Sequence, residues 1–235
     1  MIDARGLTVK YPDGTEAVRE VSFRVAAAEN VALVGANGAG KTTLLLALMG
    51  LLARAGGEAR VGGVALEKEN LHALRRAAGM VFQNPDDQLF MPSIREDIAF
   101  GPRNFGFTEE ETETRVTETL ALLGISHLRD RAPLKLSGGE MRMAAIAAVL
   151  ASKPRVVLYD EPTAFLDPQS CRTLLQTLRG LPHAKLVATH NLRFAAALCE
   201  RVILLKEGRV FADGGIALLY DHKIMDDCGL EAVPQ

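Results

Sequence analysis

Val31-Ala-Leu-Val34 runs directly into Gly35-Ala-Asn-Gly-Ala-Gly-Lys-Thr-Thr43, and apolar residues resume from Leu44 to about Leu52. A short run with no polar residue reads as a strand buried on both faces. The glycine-rich stretch reads as a turn, and the apolar residues after it as a helix. Gly35, Gly38, Gly40, Lys41 and Thr42 have the spacing of a phosphate-binding loop. In such a loop, glycines let backbone N–H groups face phosphate oxygens. The helix N-terminus adds positive potential, the lysine reaches the β- and γ-phosphates, and the hydroxyl of Thr42 offers one Mg²⁺ position. The stretch therefore predicts a nucleoside triphosphate site on an α/β core.

Two further buried strands end in polar pairs. Val156-Val-Leu-Tyr159 ends in Asp160-Glu161, and Leu186-Val-Ala188 ends in Thr189-His190. Strands that alternate with helices imply a mostly parallel sheet with ligands at the strands' carboxyl ends, so the three polar clusters point to one site. Asp160 is placed to hold Mg²⁺ through water, and Glu161 to polarise an attacking water. At the N-terminus, Ile2 to Tyr11 and Val18 to Val25 alternate around the turn Pro12-Asp13-Gly14-Thr15, which predicts a hairpin-like β pair. Near the C-terminus, Val202–Leu205 and Val210–Phe211 flank Glu207-Gly208 as an edge hairpin.

Between about Pro85 and Pro154 the pattern turns helical. Thr108-Glu-Glu-Glu111 and Ser137-Gly-Gly-Glu140 both read as capping boxes, the second ahead of a nearly all-apolar helix from Met143 to Ala151. The expectation is one domain over residues 1–235. Residues 1–84 and 155–235 would form the core, and about 85–154 an inserted helical subdomain carrying Ser137.

Composition narrows the function classes. The 235 residues carry a net charge of −2, and the sequence pI is about 6.2, whereas proteins that live on phosphate backbones are usually strongly basic. Nucleic acid is not the expected partner. The longest apolar stretch, Leu44 to Ala53, is ten residues, half of what a membrane span needs. Cys171, Cys199 and Cys228 show neither metal spacing nor a disulfide framework. The expectation is a soluble, reduced protein without a secretion signal.

Leu136-Ser-Gly-Gly-Glu140, standing between the phosphate loop and Asp160-Glu161, resembles the signature of ATP-binding-cassette (ABC) ATPases, and the resemblance spans essentially the whole chain. It implies ATP hydrolysis with Mg²⁺ by a pair of cassettes, a homodimer being expected. Ser137, Gly138, Gly139 and Glu140 of one subunit would close over the γ-phosphate held by the other. It further implies ATP contacts at Gly35, Ala36, Asn37, Gly38, Ala39, Gly40, Lys41, Thr42 and Thr43, with Tyr11 stacked on adenine. Gln83 would touch Mg²⁺ or water beside Thr42 and Asp160, His190 the γ-phosphate, and Asp167 the dimer interface. Asp167 followed by Pro168 also reads as a helix N-cap. Two positions depart from the family: Glu140 replaces the usual Gln, and Phe165 replaces the small residue of Ala-Gly-Leu-Asp.

Val81-Phe-Gln-Asn-Pro-Asp-Asp-Gln-Leu-Phe90, with its second glutamine Gln88, and Glu96-Asp-Ile-Ala-Phe-Gly101 resemble the ATPases of energy-coupling-factor importers. Ala164-Phe-Leu-Asp167, Leu181-Pro-His-Ala and the short tail after Ala212-Asp-Gly214 look most like the cobalt/nickel branch, with vitamin importers as the near alternative. The resemblance places the chain on the cytoplasmic face of a membrane, bound to integral subunits through Gln83–Phe105. Gln88, Leu89, Phe90 and Met91 are expected to form an exposed apolar segment there. Non-transport ABC ATPases are the alternative from another class. Those of DNA repair have a long coiled coil between the two motifs, but here Ser137 lies only 95 positions beyond Thr42, without sustained heptads.

Overall fold

In the computed structural model, which describes residues 1–234, the chain runs β1 (Ile2–Lys10), β2 (Glu16–Val25), β3 (Asn30–Val34), α1 (Lys41–Leu48), β4 (Arg54–Val61), β5 (Val64–Ala65), α2 (Leu71–Ala77), β6 (Ala78–Val81), α3 (Ile94–Asn104), α4 (Glu109–Leu122), α5 (Gly138–Leu150), β7 (Val156–Asp160), α6 (Pro168–Arg179), β8 (Ala184–Ala188), α7 (Leu192–Leu198), β9 (Arg201–Lys206), β10 (Arg209–Gly215) and α8 (His222–Asp227). It divides into two compact units. The first holds Met1–Met80, Arg155–Glu161 and Pro182–Gln235, and the second Val81–Pro154 and Pro162–Leu181.

Two sheets build the first unit. One has the order β10-β9-β3-β8-β7-β6, the other the order β2-β1-β4-β5. In the six-stranded sheet, β3 pairs in parallel with β8 and β9, and β7 with β8. Val31–Val34, Val156–Tyr159 and Leu186–Ala188 are almost wholly buried, as the absence of polar residues in these runs predicts. Their carboxyl ends carry Gly35, Asp160-Glu161 and Thr189-His190, and Thr189 N–H donates to Leu33 O at 3.1 Å, which ties two of those ends together. The edge hairpin forms as expected. β10 pairs antiparallel with β9, and Glu207 and Gly208 have φ of 50° and 78°, the two positive values that a tight hairpin turn uses. In the smaller sheet, β1 is antiparallel to both β2 and β4. Helix α1 stops at Leu48, earlier than the apolar run suggested, because Gly50 N–H and Leu51 N–H turn back onto Ala47 O and Leu46 O.

In the second unit, both predicted capping boxes are formed. Thr108 and Glu111 close α4, and Ser137 and Glu140 close α5. Helix α5 buries Ala144 to Ala147 completely. Residues 162–181, which the sequence assigned to the core, group with the helical segment instead. The beginnings of α5 and α6 share a cleft of about 260 Å³ lined by Ser137, Gly139, Glu140, Leu166, Asp167 and Ser170. A Cβ on Gly139 would lie only 2.7 Å from Ser170 Oγ, so the two helix starts pack directly.

Candidate nucleotide site

The loop from Gly35 to Thr43 is shaped by its backbone. Gly40 caps α1 in the left-handed region with φ of 100°, and a Cβ there would meet Ala17 O at 2.3 Å, so only glycine fits. No side chain caps α1, which leaves its first N–H groups turned toward an outside acceptor. Ala39 N–H donates to Ala36 O and Gly208 N–H donates to Ala39 O, both at 3.1 Å, so the loop is fastened to the β9–β10 turn. Asn37 and Gly38 form its exposed tip. Lys41 is buried, and its ammonium donates to Gly35 O at 2.8 Å and Ala36 O at 3.3 Å. Burial pushes its pKa down, while Glu161 and Asp160 pull it back up.

Two adjacent hydroxyls leave this loop in different directions. Thr42 Oγ1 donates to Asp160 Oδ1 at 3.1 Å, so the loop and the end of β7 meet as the sequence required. A hydroxyl and a buried carboxylate side by side are hard oxygen donors of the kind Mg²⁺ accepts alongside its waters. They fit that ion. Thr43 Oγ1 lies 2.9 Å from the Tyr11 hydroxyl, a tie that sequence reading missed. It holds the partly exposed Tyr11 ring beside the loop.

Glu161 follows β7 with φ of 44°, an uncommon conformation for a residue with a side chain. Its N–H donates to Ala188 O at 2.8 Å. Its buried carboxylate accepts from His190 N–H at 3.1 Å, and the same oxygen lies 2.9 Å from His190 Nδ1. The strained residue is thus held at both ends by β8 and the residues after it, with the carboxylate anchored on His190, whose own side chain is largely exposed.

The remaining predicted residues lie in the second unit. Ser137 Oγ accepts from Glu140 N–H, and Glu140 Oε2 accepts from Ser137 N–H and Oγ, both at 2.8 Å; these bonds hold the Glu140 carboxyl below its ordinary pKa. Glu140 therefore serves the helix start fully in place of Gln. Asp167 is the N-cap of α6, accepting from Gln169 N–H at 2.8 Å and Ser170 N–H at 3.0 Å. Gln83 is exposed, and its carbonyl accepts from Arg142 at 2.7 Å, as does that of Phe82. Arg142 is 1% exposed. Its clamp from α5 onto the Gln83 strand end went unread, although a lone charge inside an apolar helix was the signal.

The segment Gln88–Met91 needs correction. Leu89 is buried and only Phe90, 61% exposed, stands out. Gln88 is drawn in, donating to Ala145 O at 2.5 Å. Asp97 accepts from Phe90 N–H and Met91 N–H, both at 3.0 Å, which turns Leu89 inward. Phe90 rests edge-on against Phe100, with centroids 5.1 Å apart. Among the described residues, no helix is long and apolar enough to cross a membrane, and no three His, Cys, Asp or Glu side chains are grouped as metal ligands.

Comparison with known proteins points to one family. The family model described as ABC transporter matches residues 18–164. A putative ABC transporter ATP-binding protein of Geobacter sulfurreducens is 47% identical over 98% of this chain and 93% of its own length. The energy-coupling factor transporter ATP-binding protein EcfA of Methanothermobacter thermautotrophicus is 44% identical over 91% of this chain and 70% of its own. The cobalt import ATP-binding protein CbiO of Rhodobacter capsulatus is 44% identical over 98% of this chain and 84% of its own. Among solved structures, cbiO1 of Clostridium perfringens, part of the cbiONQ transporter complex, superposes with a TM-score of 0.83 at 33% identity, covering 95% of this chain and 91% of that one. An ATP-binding cassette captured as a dimer with ADP and Pi superposes with a TM-score of 0.81 at 26% identity, covering 92% of this chain and 99% of that one.

Proposed function

The chain belongs to the ATP-binding subunits of ABC transporters, in the energy-coupling-factor group, and we propose that two such ATPases close around ATP to drive uptake of cobalt or nickel ion through membrane subunits. The observation that carries this reading is the meeting of the glycine loop, the Thr42–Asp160 pair and the Glu161–His190 pair at the ends of β3, β7 and β8.

The proposed roles follow from the chemistry of each group. The N–H groups at the start of α1 and the Lys41 ammonium hold the β- and γ-phosphates, Lys41 exchanging its two carbonyl partners for phosphate oxygens. Thr42 and Asp160 hold Mg²⁺, which draws charge from the β/γ bridge when bound, and Gln83 keeps the role that the resemblance gives it. Tyr11, tied to Thr43, offers its ring to the adenine base. Glu161 accepts a hydrogen bond from the attacking water and so polarises it, and His190, fixed against Glu161, presents its outer ring edge to the γ-phosphate. Ser137, Gly138 and Gly139 of a second chain cover that phosphate with the N-terminus of α5, completing the site in trans. Membrane subunits bind through the Gln83–Phe105 segment, which keeps the protein on the cytoplasmic face.

Cobalt or nickel as cargo rests on the names of similar proteins and on the sequence features of this branch. The test is reconstitution with the membrane proteins encoded beside its gene. ATP-loaded vesicles should accumulate Co²⁺ or Ni²⁺, and Lys41→Ala should abolish the uptake. Accumulation of a vitamin such as biotin with no uptake of either ion would overturn the cargo assignment.

A further inference from the structure

The β9–β10 hairpin backs the phosphate loop at both of its ends. At the first end, a Cβ on Gly35 would lie 2.4 Å from Leu205 O, so β9 and the loop meet backbone to backbone. At the other, Gly208 N–H donates to Ala39 O at 3.1 Å, and a Cβ on Gly40 would lie 3.6 Å from Gly208 Cα. Gly208 is in turn pressed against β2. Its carbonyl accepts from Arg19 N–H at 2.7 Å, its φ is 78°, and a Cβ there would lie 2.7 Å from Ala17 O and 3.4 Å from Arg19 Cγ. Ala17 O is the same atom that forbids a Cβ on Gly40. The end of the loop, the hairpin turn and β2 thus share one seam in which two glycines face a single carbonyl, an approach open only to residues without a Cβ. Strand β2 cannot give way cheaply, because Glu16 and Val18 are registered against Lys10 and Val9 of β1.

We propose that the β9–β10 turn is part of the nucleotide site, with Gly208 as the positioning residue that sets the phosphate loop in its anion-binding shape. This role rests on the reading above that residues 35–43 hold the phosphates of ATP. Loop N–H groups bind an anion only while the backbone keeps them convergent. The tip of the loop, Asn37 and Gly38, is exposed, so its support comes from the two ends that the hairpin holds. A Cβ at position 208 would have to push the turn away from β2, and the bond from Gly208 N–H would carry Ala39 with it. The coupling works both ways. Phosphate that fixes the loop should also fix the bond between Gly208 and Ala39.

Gly208→Ala is tested against Gly229→Ala. Gly229 has a similar φ of 73°, but a Cβ there would meet no other described residue within 4 Å, so its variant reproduces the backbone strain without the crowding. Urea unfolding shows that each variant is folded. Each is then titrated, with Mg²⁺ present, with the β,γ-imido analogue of ATP and with inorganic tripolyphosphate. Gly208→Ala should weaken both ligands by one common factor of about ten- to hundredfold, the contribution of a single hydrogen bond to a charged group, and Gly229→Ala should bind both like the parent. Equal binding by the two variants, or a loss confined to the nucleotide, would overturn this inference alone. The parent decides the matter if Gly208→Ala fails to fold. Saturating tripolyphosphate should slow solvent exchange of Gly208 N–H by about tenfold or more relative to Gly229 N–H, and unchanged exchange would overturn the inference. A parent that binds neither ligand would overturn the reading of residues 35–43 as a phosphate site, and this inference with it.

Discussion

Glu161 and His183 illustrate how much a single side chain decides. The Glu161 carboxylate is fixed by two contacts to His190, while the groups proposed to hold phosphate, Lys41 and the N-terminus of α1, are separate from it. Glu161→Gln should therefore lower kcat about 10²–10⁴-fold and leave the Kd for ATP within a few-fold of the parent. Single-turnover hydrolysis and nucleotide titration check the split, and near-normal turnover would contradict the assignment. His183 shapes stability rather than chemistry. It lies 2.9 Å from the Tyr159 hydroxyl, and burial, with nearby Lys185 adding to it, pushes its pKa down to about 3. A depressed folded-state pKa means that the unfolded chain binds the extra proton first. Stability should then be fully present above about pH 6.5 and fall as the pH drops toward 3, by up to about 1.4 kcal/mol per unit. Urea unfolding across that range should show the slope, and His183→Asn should flatten it.

At the scale of elements, α5 acts at both ends. Its N-terminus carries Ser137 and its first turns carry Arg142, which donates to Phe82 O and Gln83 O. Arg142→Met would keep the apolar stem and leave two carbonyls without these donors. It should destabilise the protein by about 2–5 kcal/mol, measurable in urea, and weaken binding to membrane subunits by loosening the loop that begins at Gln83. In that loop the two aromatic-aliphatic neighbours separate cleanly. Phe90→Asp should reduce pull-down of the membrane subunits while basal ATP hydrolysis persists, whereas Leu89→Asp should fail at the level of folding because Leu89 is buried. These elements also show what the sequence made legible. The phosphate loop, both capping boxes and the buried strands were readable because each is local, a period or a spacing within ten residues. Strand β4 (Arg54–Val61) was not, since Gly56-Gly57 and alternating charges hide its apolar face. The inward turn of Leu89 depends on Asp97, and the Tyr11–Thr43 tie spans 32 residues; neither leaves a local pattern.

For the whole molecule, the proposed role in driving transport is distinct from recognising the cargo. The histidines at 72, 127, 183, 190 and 222 include no pair four residues apart, and imidazole or thiolate clusters are what Co²⁺ and Ni²⁺ favour. Equilibrium dialysis of the untagged protein without nucleotide should accordingly retain neither ion at micromolar affinity; one ion per chain, lost on mutating particular His or Cys residues, would contradict this. The proposed function requires each chain to supply half of two catalytic sites. It is tested most directly by mixing Lys41→Ala chains with Ser137→Arg chains, each inactive alone, and measuring ATP hydrolysis in mixtures shown to contain heterodimers. One intact site per mixed dimer should restore a substantial fraction of parental activity, whereas activity no higher than that of the separate variants would contradict the composite site.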